Sequence, residues 1–322
     1  VFHFGTGYFG VRSKEGNLDL EKLEKLAENN QFVRAIEIKL SQGAKPGKGG
    51  VLPGKKITAE IAAIRGVEVG KDVLSPSSHT CFNTLDELLD LIEEIADRTG
   101  LPVGIKSAVG KTHLWDDLAD KMLLRGTGPD FITIDGGEGG TGAAPPSFAD
   151  HVSLPLFSGF ALVYEIFQIR NLTDKIVFIA SGKLGLPANA ARAFAMGADV
   201  INVAREAMMS IGCIQAQLCH TNKCPSGVAT QSKWLQAGID PTIKSERFYN
   251  YVKYFRQELI QLTQASGYEH PCQYKMTDIV TTTSDNHVMR NMEETYGYAK
   301  SPVNFTSMNE LATCKYLGGI RL

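Results

Sequence analysis

Apolar positions along the chain fall in short runs, each handing over to a loop rich in glycine, proline or serine and then to an amphipathic stretch. This is the rhythm of alternating strands and helices. Five runs predict strands: Arg34 to Leu40 (RAIEIKL), Pro102 to Ser107 (PVGIKS), Asp130 to Ile134 (DFITI), Ile176 to Ala180 (IVFIA) and Asp199 to Val203 (DVINV). Asp72 to Ser75 is a weaker sixth. Thr84 to Arg98 predicts a helix, opened by a capping box of Thr84 and Glu87 and closed before Gly100, and Ala188 to Met196 predicts another. Apolar strands separated by helices imply a parallel sheet covered on both faces, either doubly wound or closed into a barrel. The segments QGAKPGKGG, DGGEGGTGAAP and SGKLG each follow a strand end, which favours a barrel whose loops face one ligand at the C-terminal rim.

A barrel of this type has eight strands, and about six are counted, so the chain is expected to lack the first two βα units. The opening VFHFGTGYFGVR reads as half of a β-hairpin with Gly5 and Gly7 at its turn. The expected division is a hairpin remnant and helix over 1–33, the barrel over 34–265, and a tail over 266–322 that packs on the barrel. The aromatic stretch Arg247 to Leu262 predicts a helix, read as a core helix with a partner surface as the alternative.

Charge changes the picture by exclusion. Across 322 residues, 33 Lys and Arg nearly balance 35 Asp and Glu, for a net charge of −2, which argues against a nucleic-acid or anionic-membrane partner. Apolar residues make up 43% and charged residues 21%, ordinary globular usage. No apolar run approaches the roughly 20 residues of a spanning helix, and no signal peptide is visible, so a cytoplasmic location is expected.

Three of the six cysteines stand close together, Cys213, Cys219 and Cys224, with gaps of five and four residues and Pro225 after the last. Three thiolates in one loop suit an iron-sulfur cluster, and three ligands rather than four point to a three-iron cluster or to a four-iron cluster with one foreign ligand. Zinc with His220 is the competing metal, disfavoured because His220 adjoins Cys219, and three buried thiols are the bland alternative. Cys81, Cys272 and Cys314 stand alone and read as core or surface thiols.

The segments EIKLSQGAKPGKGGVLPGKK, SPSSHT, VGIKSAVG, FITIDGGEGGTGAAP, ASGKLG and GCIQAQLCHTNKCPSGVATQ together resemble the FMN-binding synthase domain of glutamate synthase, in particular its shorter stand-alone relatives. The resemblance runs from about Ile36 to about Gln231. It implies a (β/α)8 TIM barrel with FMN at the C-terminal rim and a three-iron, four-sulfur (3Fe-4S) cluster on Cys213, Cys219 and Cys224. It further implies electrons entering through that cluster and a hydride passing from reduced FMN to 2-iminoglutarate, formed from 2-oxoglutarate and ammonia, to give L-glutamate. Lys39, Lys45 and Arg65 match basic residues around the 2-oxoglutarate carboxylates, with Gln42 in the same loop. Lys106 matches the lysine placed at the flavin pyrimidine. Ser181, Gly182 and Lys183, with Ala204 and Arg205, follow the last two strands and read as a phosphate site or as ordinary turn chemistry. The loop Gly136 to Gly142, with Gly137, allows close backbone approach to cofactors or is a plain turn. Asp135 is either a site residue or a cap.

The chain departs from the family at three points. Val51 stands where the family has a glutamine, the family's first two strands and its segment with an active-site glutamate are not among these residues, and the amidotransferase domain of glutamine-dependent relatives is not among them either, so ammonia is expected free or from a partner. Val51 motivates the alternatives of a related FMN and iron-sulfur enzyme acting on a different amine or 2-oxo acid, as in glutamate N-methylation, or an electron-transfer subunit without substrate chemistry. The expected electron donor is ferredoxin or a reductase subunit.

Overall fold

The computed structural model describes residues 1–282 and 289–301. Six parallel strands form one sheet in the order Phe2–Phe4, Ile36–Lys39, Val103–Ala108, Phe131–Asp135, Val177–Ser181 and Val200–Asn202. Each strand pairs with the next in sequence order, as in the wall of a (β/α)8 barrel.

The alternation inside the strands sorts two faces. Ile36, Ile38, Val103, Ile105, Ile132, Ile134, Phe178 and Ala180 point one way into the main core, where they meet the helices Leu85–Thr99, His113–Arg125 and Leu156–Ile169. The residues between them, Glu37, Lys39, Lys106, Thr133, Asp135 and Ser181, share the inner face. Below these, Ala35, Phe131 and Ile179 form a small apolar floor. The register then aligns the polar ends: Lys39 lies beside Lys106 and Lys106 beside Thr133, while one row further on Ala108, Asp135, Ser181 and Asn202 are neighbours.

The predicted helix at Thr84 begins as its sequence requires. Thr84 Oγ1 accepts the Glu87 amide at 3.2 Å, and Gly100 closes the helix at φ 64°. The Glu87 carboxylate reaches the Asn83 amide rather than that of Thr84.

Three expectations are corrected. Phe2–Phe4 is not half of a hairpin: it pairs in parallel with Ile36–Ile38, and Phe4 is buried. Gly5 turns the chain away, with Tyr8 N donating to Gly5 O, so this glycine is the exit of a sheet strand onto the C-terminal rim. Val73–Leu74 lies outside the main sheet and pairs antiparallel with Val51–Leu52 in a separate ribbon, because apolar residues alone do not select a pairing partner. The aromatic helix, Pro241–Ala265, is not a core helix: Leu259 and Thr263 are its buried residues, while Phe248, Tyr249 and Tyr254 are exposed. Leu259 joins the cluster of Ala190, Ala191 and Phe194 on the Pro187–Met196 helix.

Residues beyond 265 pack against the Pro187–Met196 helix. Tyr298 Oη donates to Met196 O at 2.9 Å, and Lys300 Nζ donates to Phe194 O and to Cys272 O. The expected tail beyond residue 301, including Cys314, lies outside the described residues. Among the described residues no helix is long and apolar enough to cross a membrane.

Candidate functional site

Two cavities open at the C-terminal ends of the strands. The larger, about 520 Å³, gathers Lys39, Gln42, Lys45 and Arg65 with Lys48 and the turn after Phe4. The smaller, about 230 Å³, gathers Ser181, Gly182, Lys183, Ala204 and Arg205 with Cys213 and Cys219. Thirteen positions were singled out for substrate or cofactor; nine of them therefore fall into two groups of stated kind, four around one cavity and five around the other.

Lys106, Asp135, Gly136 and Gly137 line neither cavity and lie between them. Asp135, 3% exposed at its side chain, stands 3.4 Å from Lys106 Nζ. It accepts Ser181 Oγ at 2.7 Å on one oxygen and the Gly43 amide at 2.8 Å on the other. Gly43 touches the following turn so closely that a Cβ there would stand 1.8 Å from Gly136 O. These glycines join the two cavity loops by backbone contact.

In the larger cavity Lys39 Nζ donates to Gln42 Oε1 at 2.8 Å, and Gln42 Nε2 donates to Gly140 O at 2.7 Å. Burial, followed by the neighbouring Lys106 charge, pulls the Lys39 pKa down to about 8. Burial, followed by Lys48, also lowers Lys45. The Arg65 guanidinium lies 5.0 Å from the centre of the Phe9 ring, a cation–π contact that holds it over the rim.

The backbone of Lys39 is fixed from behind by residues the sequence reading did not select. His79 Nε2 lies 2.9 Å from Lys39 O, and since a carbonyl only accepts, this nitrogen is assigned the proton. His79 Nδ1 then accepts from Tyr8 Oη at 3.2 Å, and Tyr8 Oη accepts the Thr80 amide. Burial lowers the His79 pKa and favours the neutral ring this pattern needs. Glu37 is a second missed residue. Buried on the inner face, it accepts from Thr133 Oγ1 at 2.6 Å and pairs with His3 Nδ1 at 2.6 Å. Its signal was present: a charged residue at an alternating position inside IEIK.

In the smaller cavity Gly182 at φ 152° and Lys183 at φ 50° give the turn after Val177–Ser181 a shape that favours glycine. Arg205 Nη2 donates to Glu138 O at 2.9 Å. Cys224 is buried and does not line this cavity, whereas Cys213 and Cys219 do. Burial, then Cys213 and Cys224, raise the Cys219 pKa. Among the described residues, however, no three His, Cys, Asp or Glu side chains converge as a metal-holding group.

A parallel sheet of this type, with a cation-rich cavity at the strand ends and a three-cysteine loop at a second one, defines a protein of the α/β barrel class. The chain belongs to the glutamate synthase family: residues 1–269 match the family described as "Conserved region in glutamate synthase". It is 39% identical over 289 residues to the glutamate synthase large subunit-like protein YerD of Bacillus subtilis, covering 90% of this chain and 55% of that protein. It is 36% identical over 233 residues to the archaeal glutamate synthase [NADPH] of Methanocaldococcus jannaschii, covering 72% of this chain and 45% of that protein. The chain thus spans about half the length of these relatives. Among solved structures it is similar to a mutant flavocytochrome b2 with benzoylformate, at 14% identity and a TM-score of 0.46, over 89% of this chain and 58% of that one.

Proposed function

We propose that this chain forms the synthase portion of an oxidoreductase of the glutamate synthase class, acting on CH–NH2 donors. In this reading it converts 2-oxoglutarate and ammonia, through 2-iminoglutarate, to L-glutamate. The observation that carries it is the convergence of Lys39, Gln42, Lys45 and Arg65 on one cavity. A five-carbon dicarboxylate needs cations at both ends and a polar group between them, and charge-assisted hydrogen bonds from lysine and arginine supply the recognition. Lys45 from its loop and Arg65 from the end of the helix Ala59–Arg65 bind carboxylates, while Lys39 and the Gln42 amide orient the end nearer the sheet.

FMN is supported by the donor chemistry of the smaller cavity. The Gly182–Lys183 turn, Lys183 and Arg205 suit a phosphate-bearing group, and 230 Å³ suits the phosphate end rather than a whole cofactor. When bound, FMN supplies the hydride. An iron-sulfur group is supported by the soft donor set of Cys213, Cys219 and Cys224, which would hold it, although the three sulfurs are not drawn together here. Ferredoxin or a reductase subunit would be the electron donor. Val51 is exposed on the ribbon and does not line the larger cavity, so it lends no support to a changed substrate.

Titration of the purified protein with 2-oxoglutarate, followed calorimetrically and by the flavin absorption spectrum, tests this reading. Saturable binding lost on Lys45→Gln is the expected result. Binding of flavin with no response to 2-oxoglutarate would leave the reading of a different amine or of an electron-transfer subunit in its place.

A further inference from the structure

Lys56 belongs to no group discussed so far. Its ammonium donates to Cys219 O at 2.8 Å and to Ala229 O at 3.2 Å, across 163 and 173 residues of sequence. These two carbonyls bracket the part of the cysteine loop that follows Cys219. The same stretch is stitched internally: Thr230 Oγ1 donates to Asn222 O at 2.7 Å, and the Gln231 amide donates to Asn222 Oδ1 at 2.7 Å. Lys56 therefore grips a preassembled unit at its neck.

On its own side Lys56 is anchored just as firmly. The Lys56 amide donates to Pro53 O, Gly54 N donates to Asp72 Oδ1 at 2.6 Å, and Val51–Leu52 pairs with Val73–Leu74. The segment ending at Lys56 begins at the cavity cations: Lys45 N donates to Gln42 O, and Lys48 N to Lys45 O. A second line of contact runs in parallel. Gln42 Nε2 holds Gly140 O, and two residues later a Cβ at Gly142 would stand 2.9 Å from Cys219 Sγ.

We propose that Lys56 is a positioning residue that ties the cysteine loop, 213–231, to the cation-bearing loop of the larger cavity, 42–56, so that the two loops order and open together. An ammonium donating to two backbone carbonyls makes charge-assisted bonds that a neutral side chain of similar length cannot replace. A ligand that orders one loop then lowers the entropy left to lose in the other, which couples the cavities without any change of fold. The inference deepens the reading above and rests on it only for the identity of the ligand in the larger cavity.

Hydrogen exchange read by mass spectrometry on the purified chain tests the tie directly. Lys56→Met should speed exchange in peptides covering 213–231 by about tenfold, the loss expected for a charge-assisted bond. Lys56→Arg, which keeps donors, and Lys55→Met, which removes the exposed neighbour, should leave that exchange within about twofold. Glutarate, used as a dicarboxylate probe, should slow exchange in both loops of the wild type and of Lys56→Arg, but only in 42–56 of Lys56→Met. Circular dichroism checks folding, and Lys56→Gln replaces Lys56→Met if the latter does not fold. Unchanged exchange in the 213–231 peptides of a folded Lys56 variant overturns the tie. Failure of glutarate to protect either loop in the wild type would instead count against the anion cavity, with the exchange difference between variants still reporting on Lys56.

Discussion

Asp135 and Lys106 form an ion pair of 3.4 Å on the inner face of the sheet, and the same carboxylate takes the amide of Gly43 and the hydroxyl of Ser181. One side chain thereby fixes the strand-end lysine, the first residue beyond Gln42 and the start of the turn at Gly182. Removing one partner of a buried pair leaves the other charge without compensation. Asp135→Asn should lower stability by about 3 kcal/mol, and adding Lys106→Met should restore part of that loss. Urea denaturation of the two single variants and the double variant measures the coupling; strictly additive losses would show that the pair does not act as a unit.

Lys39 gives the larger cavity a pH dependence. In the proposed function its ammonium holds a carboxylate, and its pKa is pulled down to about 8 by burial and Lys106. Dicarboxylate affinity should therefore fall as pH rises from about 7 to about 9. Stability should move the other way across that window and up to the ordinary lysine range, because the unfolded chain still holds a proton that the folded chain has lost. Calorimetric titration of the wild type and Lys39→Met at several pH values checks the first effect, since the variant should lose the slope.

Gly43 tests the contact between the cavity loops. A methyl group there would sit 1.8 Å from the carbonyl oxygen of Gly136, a backbone atom with no rotamer to retreat into. Gly43→Ala should cost about 3 kcal/mol, the upper end of the usual overpacking range. Gly47→Ala is the comparison, since no atom lies within 4 Å of the position its Cβ would take. Gly47 has φ 66°, so its loss should reflect backbone strain alone and be smaller. Thermal unfolding of the two variants decides between them.

Asp199 lies at the opposite end of the sheet, where its Oδ2 accepts the Phe178 amide at 2.9 Å. Burial raises its pKa to about 6. The folded chain therefore binds a proton that the unfolded chain has released between the ordinary carboxylate range and about pH 6, so this group's contribution to stability declines as pH rises through that interval. Asp199→Asn should flatten that decline, and urea denaturation at several pH values in the interval gives the slope.

Five strands of the sheet were legible because the outer positions of IEIK, VGIKSA, FITID, VFIAS and VIN carry the apolar side of an alternating pattern. The three residues of Phe2–Phe4 offered too short a pattern, and the glycines after them looked like a hairpin turn where they are a strand exit. Val73 and Leu74 were visible as strand formers, but their partner, Val51–Leu52, was not. Around the cavities, Lys39, Gln42, Lys45 and Arg65 could be grouped through the family resemblance. Tyr8, His79 and Lys56 escaped, because each acts on backbone or ring atoms tens to more than a hundred and fifty residues away. The exposure of the aromatic helix escaped for the opposite reason: its apolar residues are real, but only one stripe meets the Pro187–Met196 helix.

The inner face of the sheet places two carboxylates, Glu37 and Asp135, among two ammonium groups, Lys39 and Lys106. With both lysines protonated, these four charges cancel. The surplus of positive charge at the larger cavity therefore belongs to Lys45, Lys48 and Arg65, all carried on connecting segments rather than on strands. Scaffold and selectivity are thereby separated: exchanging those three cations would re-address the cavity to a ligand of another sign while the ledger of charges inside the sheet stays balanced.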